Sequence, residues 1–73
     1  MFKDAAVAKQ ISDVMIDVSD RLDRSIVTVE EQCSKEEFQA YRLAVGKILG
    51  EVLLEVLNAL YAAHPSLKPP RMD

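Results

Sequence analysis

Residues 33–38 read CSKEEF, and the reading of this stretch decides the fold. Ser34 is followed three residues later by Glu37, the spacing of a capping box, and Cys33 and Phe38 stand at the N′ and N4 positions of a hydrophobic staple. Glu36 and Glu37 add negative charge where a helix dipole is positive. A helix therefore begins at Ser34 or Lys35, and the chain before it must change direction there.

Upstream, neither glycine nor proline occurs before Gly46. Val7, Ile11, Val14, Val18, Leu22, Ser25, Val29 and Cys33 follow one another in steps of three and four, the spacing of one helix face. The pattern repeats every eleven residues, so this helix should run straight or coil slightly right-handed. Its other face carries Asp17–Arg21 and Asp20–Arg24 at i,i+4, pairs worth a few tenths of a kcal/mol each. The run Ile26–Val27–Thr28–Val29 is β-branched throughout, and Thr28 with Glu31 offers a second capping box. The alternative to one straight helix is thus a first helix kinked or split near residues 25–28.

A phase argument supports the break at 33–34. If one helix ran through at about 100° per residue, the apolar stripe of the first half would meet Glu37, Lys47, Glu51 and Glu55 in the second. A turn removes the conflict. Pro65 ends the second helix near Ala63. Two rods of roughly equal length joined by a one- or two-residue turn predict an all-α chain. It is an antiparallel helical hairpin with helices at about residues 4–33 and 35–63. Residues 1–64 form one domain and residues 65–73 a proline-rich tail, in which Leu67 can tuck back and KPPR can adopt polyproline II.

The second helix raises a question of cover. On an unbroken wheel one face holds Phe38, Tyr41, Val45, Ile48, Leu49, Val52, Leu53, Val56 and Leu60, enough to pack on the first helix. A second arc holds Leu43, Gly46, Gly50, Leu54, Leu57 and Tyr61, leaving only Lys47, Glu51, Glu55 and Asn58 suited to water. A helix apolar nearly all round is buried, and one neighbour cannot cover both arcs. Burying the second arc is worth on the order of 10 kcal/mol gross, partly offset by the cost of association. The expected cover is a second copy, giving a dimeric four-helix bundle with that arc as the dimer interface. Gly46 and Gly50, spaced as GxxxG, suggest close helix approach.

Seventy-three residues with a single cysteine have neither disulfide nor zinc site as a staple, which also points to oligomerisation. A net charge of −3 and the lack of a Lys/Arg cluster argue against nucleic acid as a partner. Lys47, Glu51 and Glu55 interrupt the most apolar span, so no membrane span is expected, and the N-terminus lacks a signal's apolar core. The expected location is cytoplasmic.

Chemistry-bearing motifs are missing: no P-loop, nucleophile elbow, CxxC, HExxH or Glu-x-x-His occurs. No catalytic residue, cofactor or metal ligand is therefore assigned. His64 reads as a residue at a helix's negative end, and Cys33 as a small buried staple partner. Arg42 falls on the apolar side, where it pairs with Glu30 or Glu31 or holds an anionic partner. Ile16 and Val27 point away from the first helix's stripe and, with Arg42, are the candidate partner or ligand contacts. The expected function is a non-catalytic homodimeric protein–protein interaction module. The alternatives are a small-ligand binder using Tyr41, Arg42 and Tyr61, or an RNA-binding hairpin.

Overall fold

The computed structural model describes residues 1–68, and among these it contains helices and no strand. Helix α1 spans Ala5–Gln32. Asp4 caps it by accepting a hydrogen bond from the Ala6 amide at 2.8 Å. The chain turns at Cys33 and Ser34, both in extended conformation. A second rod then runs through α2 (Lys35–Lys47), a π-helical segment (Ile48–Leu53) and α3 (Leu54–Ala63). Its backbone stays right-handed helical across both junctions. Pro65–Leu67 form one 3₁₀ turn. The two rods make the antiparallel hairpin, 45 Å long and under 20 Å across.

The corner forms as its residues dictate. Ser34 Oγ accepts from the Glu37 amide at 3.1 Å, and Glu37 Oε1 accepts from the Ser34 amide at 3.4 Å. Cys33, expected to be buried under Phe38, is exposed. The cap alone, with Phe38 half-buried, marks the start of α2.

The alternative of a divided first helix is corrected: α1 is one helix through residues 25–28. Two hydroxyls, one within the β-branched stretch and one just before it, are absorbed rather than disruptive. Ser25 Oγ donates to the Leu22 carbonyl at 2.6 Å and Thr28 Oγ1 to the Arg24 carbonyl at 3.4 Å. Ile26 and Val29 gain partial burial in the seam, which outweighs a few tenths of a kcal/mol of propensity each.

The core gathers towards the open end of the hairpin. Ala8, Leu57, Leu60 and Tyr61 form its buried cluster, with Ile11, Met15 and Leu67 packed against it. Val45 and Leu53 are buried nearer the turn. The face α1 presents is turned by about 50° from the expected stripe at 100° per residue. The small Ala8 and Ser12 are buried, while Val7, Val14 and Val18 are left part-exposed at the edge.

Three polar rungs tie the rods. Ser25 and Tyr41 join hydroxyls at 2.7 Å, and Ser12 and Tyr61 do so at 2.7 Å in a buried site. At the open end His64 Nε2 donates to the Phe2 carbonyl at 2.6 Å. Phe2 has φ 62°, a left-handed conformation that this bond helps to hold.

The second rod departs from the unbroken wheel. Tyr41 and Val45 face α1 as expected, but Val52 is 59% exposed while Leu57 and Tyr61 are 4% and 6% exposed. The π-helical segment is the cause. Its i→i+5 bonding spends one extra residue in a turn, so everything beyond it is rotated by about 100°. Val52 leaves the seam, Leu57 and Tyr61 enter it, and Leu53 moves from the edge of the expected face to a buried position.

Ser12 is 3% exposed, and its hydroxyl meets that of Tyr61 there. Replacing Tyr61 with Phe leaves the serine buried beside an apolar edge. We expect a loss of about 1–3 kcal/mol in urea unfolding. Ser12→Ala with Tyr61→Phe should lose less than the two single changes summed, by at least about 0.5 kcal/mol. Strict additivity would show that the bond does not form.

Candidate interaction surface

The residues expected to carry contacts fall into three groups. Leu57 and Tyr61 are corrected from dimer interface to core: one chain already buries them against α1. The rest of that arc remains outside. Leu43 is 71% exposed and Leu54 is 40% exposed, and Gly46 and Gly50 are open. A Cβ at either glycine would meet nothing within 4 Å, so no close approach within the chain requires them.

Arg42 is exposed and forms no ion pair with Glu30 or Glu31, so the pairing expected at the corner is absent. It lines a shallow, open groove with Leu43, Gly46, Lys47, Gly50 and Glu51. The ligand gap expected between Tyr41, Arg42 and Tyr61 does not assemble. Each tyrosine hydroxyl is taken by a serine of α1, and Arg42 lies outside.

Ile16 and Val27 are exposed, as their place off the stripe implies. Eleven residues separate them, about 16 Å along the helix. Asp20 and Asp23 lie exposed between them, so the two do not merge into one patch. The Asp/Arg face is a solvated strip. Asp17–Arg21 pairs at 3.2 Å, Asp20–Arg24 at 2.7 Å and Lys9–Asp13 at 3.1 Å, all with well-exposed side chains. Such pairs add little stability.

A continuous apolar flank lies elsewhere, and the unbroken wheel concealed it. On α1, Val7, Val14 and Val18 lie to one side of the buried seam. On the second rod, Ile48 and Val52 lie to the same rotational side of theirs. In antiparallel helices the same rotational side is the same face of the pair. These five residues are 38%, 51%, 37%, 42% and 59% exposed, in the order named. Half-buried Val56 continues the flank along the second rod. The signal that could have located it is the pair Ala8 and Ser12, whose small side chains draw α1 inwards on their own side and push the valines to the edge.

The molecular surface measures the same deficit. The chain exposes 5455 Å², against about 4,500 Å² for a compact monomer of its mass. The radius of gyration is 14.5 Å, against about 11 Å for a compact domain of this length.

Metal chemistry finds no assembled site among the described residues. No group of three or more His, Cys, Asp or Glu is placed to hold a metal ion. Ser12 and Ser25 are bonded to tyrosines, and His64 to a backbone carbonyl. Among the described residues, no helix is long and apolar enough to cross a membrane. No family model, curated protein or solved structure matches the chain.

The open glycines give a direct comparison between the two exposed surfaces. Gly46→Ala has room for its methyl and should stabilise the helix by up to about 1 kcal/mol in thermal or urea unfolding. A loss of stability would mean that another chain packs closely on Gly46.

Proposed function

We propose that this protein is a small non-catalytic interaction module. Two hairpins pair about a two-fold axis into a four-helix bundle, and the outward faces of that bundle bind another protein as an adaptor, regulator or chaperone-like subunit. The observation that carries the reading is the flank of Val7, Val14, Val18, Ile48 and Val52. Its setting matters: a short hairpin with seven buried residues among those described and no covalent staple has little core of its own.

The magnitudes favour a second copy as the cover. The elongated hairpin exposes roughly 900 Å² more than a compact monomer, polar and apolar area together, which leaves room for a standard interface of ~800 Å² per partner. A flank of branched aliphatic side chains is self-complementary under a two-fold axis, since it asks for no opposite charge on its partner. Four-helix bundles bury one such face from each helix pair. The reading replaces the arc first expected, because Leu57 and Tyr61 are already covered.

The partner-facing surfaces are then the Asp/Arg strip of α1 with Ile16 and Val27, and the groove holding Arg42 and Leu43. A net charge of −3 gives no electrostatic basis for nucleic-acid binding. The exposed thiol of Cys33 suits a reducing compartment, which supports a cytoplasmic location.

Light scattering at low micromolar concentration tests the pairing. The expected mass is twice that of the 8.2 kDa chain. Val14→Asp with Val52→Asp should give a monomer of reduced stability, because charges on the flank cannot be buried unpaired. A wild-type chain that is well folded and monomeric throughout the micromolar range would refute the reading.

A further inference from the structure

The second rod holds two apolar faces and one place where it can choose between them. At a constant 100° per residue, Val45, Leu49, Val52, Val56 and Leu60 would form one face towards α1. In the structure the burial follows this face as far as Val45 and then moves to Leu53, Leu57 and Tyr61. The jump amounts to one residue of rotation, and it lies in the π-helical segment Ile48–Leu53. Either setting of Leu54–Ala63 puts large aliphatic side chains against Ala8 and Ile11, and Leu60 stays near the seam in both.

We infer that Leu54–Ala63 is a rotary element: the π-helical turn at Ile48–Leu53 lets it occupy two packed settings on α1 that differ by one residue of helical rotation. In the setting observed, Tyr61 reaches the buried Ser12 hydroxyl and Val52 is outside. In the other, the rod is α-helical throughout. Val52 and Val56 turn in, and Leu57 and Tyr61 turn out beside Leu43, Gly46, Gly50 and Leu54. The exposed arc is then the one that a regular helix would offer to a partner.

The Ser12–Tyr61 bond is the latch. It forms only with the extra residue in place, since an unbroken α-helix would carry Tyr61 to the far side of the rod. Gly50 sits inside the turn with open space where a side chain would be, so nothing obstructs a change in the backbone there. A ligand that covers Leu57 and Tyr61 draws the population to the turned setting by its differential affinity. This inference concerns the rod within one chain and does not rest on the pairing of two copies.

Thiol labelling tests it on a Cys33→Ser background with single reporters Leu57→Cys and Val45→Cys. Both positions are buried, and neither belongs to the exposed aliphatic flank; Val45 lies before the turn and Leu57 after it. Adding Tyr61→Phe should speed labelling at position 57 severalfold more than at position 45, which feels only the loss of global stability. An unchanged rate at 57, or an equal rise at both positions, would overturn the inference, the latter because it reports global opening. Deleting Gly50 removes the surplus residue and fixes the observed setting. That variant should keep its helical far-UV signal, label slowly at Leu57→Cys and respond to Tyr61→Phe no more at position 57 than at position 45. A persistent excess at position 57, or loss of the helical signal, would also overturn it.

Discussion

The hydrogen bond between Ser12 and Tyr61 is the constraint on which the rest of the structure depends. It is buried, it lies in the first third of α1, and it requires the second rod to carry one more residue of rotation than an α-helix gives. A π-helical turn has poorer intrinsic stability than an α-helical one. It persists where surrounding contacts reward it. Here the reward is the burial of Leu57, Leu60 and Tyr61 around Ala8, together with a satisfied hydroxyl pair. No buried side-chain nitrogen or oxygen among the described residues lacks a partner. The flank that faces outwards follows from the same rotation, because it moves Val52 from the seam to the surface.

The hairpin is thus specified at three points along its length by polar groups and filled between them by apolar ones. Ser25 with Tyr41 sets the rods near the turn, Ser12 with Tyr61 sets them beyond the π-helical segment, and His64 with the Phe2 carbonyl closes the open end. Each rung joins residues distant in sequence. A slip of one residue would leave hydroxyls buried and unpaired, at roughly 1–3 kcal/mol each. Aliphatic packing alone would tolerate that slip, since Val, Ile and Leu occupy both faces of the second rod.

The corner was legible in the sequence because a capping box is a local device. Ser34 and Glu37 need only each other, and they bond as their spacing implies. The helical character of both rods and the end at Pro65 were legible for the same reason. The rotation was not. A wheel drawn at constant angle has no term for an extra residue in a turn, and Val52 fits the regular face so well that nothing flags its departure. The β-branched run at 26–29 left a kinked first helix open as the alternative, and its cost is small beside the burial that Ile26 and Val29 gain. Small residues were under-read: Ala8 and Ser12 were passed over in favour of Val7 and Val14, yet close approach of the rods needs the former. The polyproline reading of KPPR falls largely on residues 69–73, outside the described residues. The tail's Leu67 does pack on the core.

The surface that results is apolar along one flank and mixed in charge elsewhere. Leu43 and the valines are not local accidents of packing. They follow from two rods that are each apolar over more than the arc one neighbour can cover. The self-pairing proposed above would cover that flank and leave the polar faces to other partners.

The most direct test of this account is the set of proton–proton nuclear Overhauser contacts around residue 52 in solution. The account predicts contacts from the Leu57 side chain to the Ala8 methyl and from Tyr61 to Ser12, with none from Val52 to the seam residues of α1. Strong contacts from Val52 and Val56 to Ile11, Met15 and Leu22, with Leu57 and Tyr61 lacking any to α1, would mean that the second rod is a regular α-helix and would contradict it.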